Sequence, residues 1–526
     1  VSQALIDALQ APTCYSHTTT GFTVRETHIS WVILTGDYAY KIKKPVNLGF
    51  LDYSTLAQRR HFCEVEVSRN QHFNNHTYLE VVPISGSPEA PLVDDDSAPF
   101  EYAVKMRQFD DRNLLCQLQQ RGELTTTHIE ALVRQLAHAH QHAEKAPAES
   151  DAGSLEAIKA PVQNNFTQIA PLLEEEQDKQ QLKLLETWAH DTADSLAERL
   201  NQRRVQGMIC ACHGDLHLSN AAATADQVML FDCIEFNPSL YWIDPISDLA
   251  FLLMDLESRE LHTLANVALN LYLELTGDYN GLALLPYYKS YRAMVRAKVS
   301  LLRLQEEGNL LDAEDRASIL RQYRTYSALA EHYIDFHMPY LLVTHGVSGS
   351  GKSTLTRYVV EALGAIRIRS DVERKRLYGF APNDASQSPL DSGIYTQEAT
   401  AQTYDRLASL GTDCLKCAVP VIFDATGLKR SQRDQLRAVG EGLGVPVVII
   451  NMAASEATLR RRIVKRQTQG DQVAEADLTI LERQLAAREP LEEDELQSTV
   501  HVDTDAPGAS QTLVQLLKDH LHLEER

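Results

Sequence analysis

The stretch CHGDLHLSN, Cys212 to Asn220, followed after a short apolar run by Leu230-Phe231-Asp232, decides how the larger, N-terminal part of the chain is read. It places a carboxylate at Asp215, an amide at Asn220 and a second carboxylate at Asp232. Phosphoryl transfer can use such a set: one carboxylate orients or deprotonates an attacking hydroxyl, while an amide and a carboxylate hold the metal ions that bridge the phosphates. In that reading Asp215 faces the acceptor, and Asn220 and Asp232 hold metal. His213 braces the loop instead of doing chemistry. A correctly spaced Asp232 at the end of an apolar strand makes the pattern far more specific than the nine residues alone.

Outward from this stretch, the chain divides by periodicity. HISWVILTGDYAYKIKKP from His28, TYLEVVPI from Thr77 and FEYAVKMRQF from Phe100 carry β-branched and aromatic runs separated by turns, which predicts a strand-rich small lobe over about 1–113. Helical periodicity then dominates from about Leu114 to about 335, broken by the strand-loop-strand passage around Asp215. The small and polar residues of APAESDAGS (146–154) predict a loop between two helices, not a domain boundary.

A fresh α/β unit opens just after Met338-Pro339, where an apolar strand runs into a glycine-rich turn and a helix. Gly346, Ser348, Gly349, Ser350, Gly351, Lys352 and Ser353 satisfy G-x-x-x-x-G-K-[ST], with Thr354 next in the helix. Glycines let the backbone curl so that successive N–H groups face phosphate oxygens, and the helix start adds its positive end. Lys352 would reach the β- and γ-phosphates, and the Ser353 hydroxyl would sit on Mg²⁺. Strand candidates PVIFDAT (420–426), PVVIINMA (446–453) and STVHVDT (498–504) alternate with helices, as a parallel sheet requires. Asp371 follows the second strand, where small P-loop kinases place a carboxylate facing the acceptor hydroxyl; it equally suits the N-cap of the helix it opens. Asp424 ends its strand as a Walker-B-type acid that supports Mg²⁺ through water. Arg462 and Arg466 share a helix face at i, i+4 and would stabilise charge on the transferred group from a lid. Arg430 and Arg433 are further candidate phosphate contacts.

Composition bounds the partners. The 526 residues carry 50 Lys plus Arg against 72 Asp plus Glu, a net charge of −22, which disfavours broad binding to nucleic acid or anionic membrane surfaces. Eight Cys in no framework spacing read as reduced thiols in a cytoplasm, and Cys414-x-x-Cys417 lacks the second pair a tetrahedral metal site needs. No run of 18 apolar residues suggests a membrane span, and His138, His140 and His142 read as a polar helix face. Arg292, Arg296, Lys298 and Arg303 form a basic stripe that suits either an anionic substrate or a salt-bridged solvent face.

The Cys212–Asn220 stretch with Asp232 resembles the aminoglycoside phosphotransferase and choline kinase family, relatives of protein kinases. That resemblance implies a lysine on YAYKIKKP that pairs with the α- and β-phosphates, Lys41 being favoured with Lys43 open. It also implies a helical partner, Glu66 in preference to Glu64, with Asn70 and Phe73 packing on the same helix. Asp248 would cap the catalytic-loop backbone, and Glu235 could add a metal contact. No G-x-G-x-x-G precedes the lysine strand; TTTGFTV or ETHIS would take its place. The C-terminal motifs resemble small-molecule P-loop kinases of the gluconate kinase and zeta-toxin type, including polynucleotide-kinase-like relatives. The whole chain is similar to bacterial two-module proteins that join these parts.

The expected architecture is therefore an α+β, protein-kinase-like bilobal domain over 1–335 (large lobe about 114–335), followed by an α/β P-loop kinase domain over 336–526 whose parallel sheet is flanked by helices. The implied function is ATP- and Mg²⁺-dependent phosphorylation of a small-molecule hydroxyl at two nucleotide sites in a cytoplasmic protein. Two alternatives stay open: one catalytic domain regulated by a nucleotide-binding partner domain, or a polynucleotide-end kinase, against which the net charge counts.

Overall fold

The computed structural model describes residues 3–47, 51–74, 76–224, 227–307, 311–382, 384, 393–469 and 478–523, apart from the side chains of 306–307 and 466–469. Two compact units result: Val1–Glu260 with Tyr287–Tyr333, and Leu261–Pro286 with Ile334–Arg526. One change of unit falls between Tyr333 and Ile334. Leu261–Pro286 belongs to the second unit, whereas the sequence reads as one contiguous domain over 1–335.

In the first unit the small lobe is an antiparallel sheet of β1 (Thr23–Glu26), β2 (Ser30–Leu34), β3 (Tyr38–Lys43), β4 (Tyr78–Ser87), β5 (Ala90–Val93) and β6 (Glu101–Arg107), in the order β1-β2-β3-β6-β4-β5. Alternation along β2, β3 and β4 sends Ile33, Tyr40, Ile42, Val82 and Ile84 to one face, where they pack with Leu5, Ile6 and Leu9. The helix Leu56–Phe73 covers the other face, burying Cys63 and Val67 against Tyr78 and Val104. Thr55 starts that helix with a capping box: its hydroxyl takes the Gln58 N–H while the Gln58 side chain takes the Thr55 N–H. The β1–β2 turn is Glu26-Thr27-His28-Ile29-Ser30, so of the two glycine-loop substitutes considered it is ETHIS that forms the hairpin, closed by Thr27 and Ser30.

The large lobe is helical, with β7 (Cys210–Ala211), β8 (Ala221–Ala223), β9 (Val228–Leu230) and β10 (Trp242–Ile243) forming two short antiparallel pairs, β10-β7 and β8-β9. These pairs pin the two ends of the loop that carries Asp215 and Asn220.

The second unit is a five-stranded, all-parallel sheet of β11 (Leu341–His345), β12 (Ile366–Arg369), β13 (Val421–Asp424), β14 (Val447–Ala453) and β15 (Thr499–Asp503), in the order β12-β13-β11-β14-β15. Strand β11 is buried throughout, as a central parallel strand with both faces covered should be. Leu342, Ile450 and Val502 pack on one face against Leu355, Val359, Leu513 and Leu517 of the helices Lys352–Leu363 and Ala509–Leu521. Among the described residues no helix is long and apolar enough to cross a membrane.

Candidate active site

In the first unit, β3 presents Lys41 and Lys43 to the helix Leu56–Phe73, and both reach Glu66. Lys41 Nζ lies 2.7 Å from Glu66 Oε1 and 2.6 Å from Asp232 Oδ1. Lys43 Nζ lies 2.6 Å from Glu66 Oε2 and 2.5 Å from Glu235 Oε1, and Glu235 also accepts from the Tyr53 hydroxyl at 2.7 Å. The two lysines thus divide one carboxylate, Lys41 on the side of Asp232 and Lys43 in the interior. Burial disfavours charge on both amines, but the paired carboxylates outweigh it and hold both well above the ordinary lysine value. Glu66 is correspondingly lowered despite full burial. Glu64 is exposed and pairs with Arg60. Glu235, expected as a possible metal contact, is instead buried and taken by Lys43 and Tyr53.

The loop at Asp215 is held from beneath. Asp248 accepts the His213 and Gly214 N–H groups, each at 2.8 Å, and lies 3.1 Å from His140 Nε2. This is the backbone-capping position expected of it. It also corrects the reading of the histidine run: His138 and His142 stack outside, but His140 is buried because it is needed at Asp248. Arg292 corrects the basic stripe in the same way, since it is buried and donates to Gly214 O at 3.0 Å and to Ser247. His213 is buried, with Phe73 edge-on at 5.3 Å and Nε2 at 2.9 Å from Phe231 O; burial pushes its imidazole below the usual value.

Above this support Asp215 is 38% exposed at its side chain, with Oδ2 accepting from Asn220 Nδ2 at 3.1 Å and 3.4 Å from His217 Nε2. Burial pushes the Asp215 carboxyl up, yet His217, His213 and Arg296 together bring it below the usual carboxylate range. Asp232 has φ of +61°, a left-handed conformation uncommon outside glycine, and its N–H donates to the Tyr78 hydroxyl at 3.0 Å. Asp215 thus meets Asn220, and Lys41 meets both Glu66 and Asp232; the backbone joins the two sets where Phe231, next to Asp232, donates its N–H to Asn220 O at 3.1 Å. Sequence reasoning missed Arg69, which donates to Cys212 O and Ile234 O and so ties the helix Leu56–Phe73 to both acidic loops. Its place one residue before Asn70, whose Oδ1 accepts the Cys233 N–H, was the available signal.

In the second unit the glycine-rich turn joins β11 to the helix Lys352–Leu363, with Gly349 and Gly351 at φ of +83° and +89°. A Cβ on Gly346 would stand 2.6 Å from Ser350 Oγ, and one on Gly349 3.0 Å from Leu459 O, so the turn is a tight backbone cradle. Among the described residues the buried Ser350 hydroxyl has no hydrogen-bond partner, and Ser348 N–H donates to Gln484 at 2.7 Å. Lys352 Nζ reaches the Gly346 and Val347 carbonyls at 2.9 and 2.8 Å. Ser353 and Thr354 are exposed. Asp424 is buried at the end of β13 and accepts from Thr356 Oγ1 at 3.0 Å. This donor set, a curled backbone with a lysine, a serine hydroxyl and a strand-end carboxylate, fits a nucleotide phosphate with Mg²⁺.

Asp371 opens the helix Ser370–Leu377 and takes the Val372 N–H at 3.0 Å, so it does not cap the N-terminus by the usual reach to the next turn. Arg369 grips it at 2.7 and 3.2 Å. Burial raises the Asp371 carboxyl, but Arg369 and Arg367 prevail and hold it below its ordinary value. Arg462 donates to Gly349 O at 3.2 Å and to Thr504 at 2.7 and 2.9 Å, on the flank of the turn. Arg466 lies outside the described side chains. Arg430 and Arg433 are not free for phosphate: Arg433 is fully buried on Glu495, and Arg430 pairs with Asp434 and Asp494.

Fold and site together define the class: a phosphotransferase built from two kinase-like domains. Residues 111–285 match the phosphotransferase enzyme family, and residues 341–491 match an AAA domain family of P-loop proteins. Among curated proteins, an uncharacterized protein of Mycobacterium tuberculosis is 28% identical over 457 residues, 86% of this chain and 89% of the relative, and one of Mycobacterium bovis matches equally. Among solved structures, a gluconokinase from Sinorhizobium meliloti is 27% identical over 35% of this chain and 93% of its own, with a TM-score of 0.25. A choline kinase from Cryptosporidium parvum is 11% identical over 63% of this chain and 95% of its own, with a TM-score of 0.39.

Proposed function

We propose that the protein is an ATP- and Mg²⁺-dependent phosphotransferase with two nucleotide sites, each transferring the γ-phosphoryl group to a hydroxyl of a small molecule. The observation that carries this reading is a repeated arrangement. In each unit a lysine stands on the phosphate side, a carboxylate fits metal, and a separate ionised carboxylate is held by its own partners.

In the first unit Lys41, fixed by Glu66, pairs with the α- and β-phosphates, Asn220 and Asp232 hold metal, and Asp215 orients the acceptor hydroxyl and takes its proton. In the second, the backbone of 346–351 cradles the phosphates, with Lys352 on the β- and γ-phosphates and Thr354 continuing the helix beneath them. Ser353 and Asp424 would hold Mg²⁺, Asp371 faces the acceptor, and Arg462 and Arg466 stabilise charge on the transferred group. Bound Mg²⁺ supplies charge neutralisation at the transferred group. A carboxylate kept ionised by a neighbouring cation accepts a proton only as the hydroxyl's own acidity rises during attack, which suits a loose, late proton transfer.

The test is γ-phosphate transfer from labelled ATP into a metabolite extract, comparing the parent chain with Asp215→Asn and Lys352→Ala. Loss of a different labelled product in each variant is expected, and those products name the acceptors. If one variant abolishes all transfer while the other loses only ATP binding, the second site is regulatory and the two-kinase reading is wrong.

A further inference from the structure

The segment Leu261–Pro286 lies within the span matched by the phosphotransferase family, yet it folds as part of the P-loop unit. Its helix, His262–Thr276, lies along β12, the edge strand of the parallel sheet. An edge strand presents unpaired N–H and C=O groups. Asn270 answers two of them, donating to Ala365 O at 3.1 Å and accepting the Arg367 N–H at 2.7 Å. Asn266 adds a bond to Glu361 O at 3.3 Å.

One turn beyond Asn270 on the same helix face stands Glu274, only 16% exposed. Its Oε1 accepts from Arg369 Nη1 at 3.0 Å and its Oε2 from Arg367 Nη2 at 3.3 Å. The remaining edge of the Arg369 guanidinium, Nε and Nη2, is the one that grips Asp371. A guanidinium offers its donors in a fixed planar fork, so fixing Nη1 fixes the direction of the others. Arg369 needs that constraint. It sits beside Asp424 in the strand register and is drawn electrostatically by Asp371, Glu274 and Asp424 alike.

We infer that Glu274 is a positioning residue of the P-loop unit: it anchors Arg369 so that the guanidinium orients Asp371 and stays off Asp424. This rests on the reading of Asp371 as the acceptor-side carboxylate and of Asp424 as the metal-side one. Without Glu274, Arg369 can turn toward Asp424, which both releases Asp371 and competes for the carboxylate that fits metal. The P-loop unit therefore draws part of its acceptor-side geometry from a chain segment about 60 residues before its first strand.

The experiment uses the full-length chain carrying Asp215→Asn, so that only the P-loop unit transfers phosphate from labelled ATP to water and to a metabolite extract. Adding Glu274→Ala is expected to lower kcat about tenfold while leaving KM for ATP within about twofold. Glu274→Gln, which keeps an acceptor oxygen for Arg369, should recover part of the loss. An unchanged kcat in Glu274→Ala overturns the inference. So does a fall in kcat matched by lost ATP affinity and earlier unfolding, because Glu274 would then only dock the helix. Asp371→Asn is measured alongside. If it turns over at the parent rate, the acceptor-side reading of Asp371 falls and the inference with it; if it is slow while Glu274→Ala is not, the inference falls alone.

Discussion

Lys41 and Lys43 differ by one strand repeat and share Glu66, but their surroundings assign them different work. Lys41 touches Asp232, whose side chain is 48% exposed, whereas Lys43 is 1% exposed and closes a buried set of Glu66, Glu235 and Tyr53. Removing the partner of a buried carboxylate leaves charge without compensation, at a cost of about 3–5 kcal/mol. Lys43→Met is therefore expected to destabilise the first unit by that amount in chemical denaturation. Lys41→Met should unfold near the parent midpoint and lose transfer in an ATP titration. The opposite pairing of results would exchange the two assignments. Asp371 supports a second prediction at this scale. Its carboxyl is held below the ordinary value by Arg369 and Arg367, with Glu274, Asp424 and Arg374 also charged nearby. A depressed carboxylate contributes stability that is present above its unfolded value of about 3.9 and is lost as pH falls through the folded one. Transfer by the P-loop unit should then show no acid limb from Asp371 between pH 7 and about 4. Arg369→Leu leaves burial as the larger influence, and an acid limb should move upward into that range; a pH–rate profile that does not shift would remove Arg369 from the account.

At the scale of single elements, the helix Arg430–Leu443 shows what a sequence can and cannot disclose. Its basic start, KRSQRD, follows Asp424 closely enough to look like a phosphate contact. The structure turns Arg433 inward, where Glu495 takes Nε and Nη2 at 2.6 and 2.9 Å and the carbonyls of Gly427, Leu428, Glu489 and Pro490 take the rest. One arginine thus locks two loops and the short helix Glu493–Leu496. Arg433→Met is expected to cost about 3–5 kcal/mol of stability in the second unit, and Arg430→Ala, on an exposed pairing surface, under about 1 kcal/mol. A denaturation curve in which Arg433→Met is mild would contradict this. The same limit explains Arg292 and His140. Motifs set by local spacing, such as 346–353 and 212–220, were legible because their chemistry lies within a few residues of chain. Gly214 beside Arg292, Asp248 beside His140 and Glu495 beside Arg433 lie far along the sequence, and a charged residue that braces a buried backbone has the same periodicity as one facing solvent. The strands near 420–426, 446–453 and 498–504 were readable for the same reason, as short apolar runs between helices.

For the molecule as a whole, the part least legible from sequence was the path of the chain between units. The helical pattern of 262–276 has nothing to set it apart from its neighbours, and the family match runs through it without a break to 285. Only the contacts of Asn266, Asn270 and Glu274 show that it completes the P-loop unit by covering β12. A break at 335 would therefore leave a bare edge strand, with Ala365 O and Arg367 N–H lacking their partner and Gly364 losing its neighbour Asn266. Each such lost bond costs about 1–3 kcal/mol if the group stays buried, and an exposed edge invites association. The fragment 336–526 is accordingly expected to melt below the matching transition of the full chain. Amide exchange over Ile366–Arg369 should be at least about tenfold faster than in the intact protein, since roughly 1.4 kcal/mol of local opening energy is a factor of ten. A synthetic peptide of residues 261–286 added to the fragment should slow that exchange again. If the fragment melts and exchanges as the full chain does, β12 needs no cover. The segment would then be a connector that rests on the sheet without stabilising it, and the anchoring of Arg369 by Glu274 would have to be judged on kcat alone.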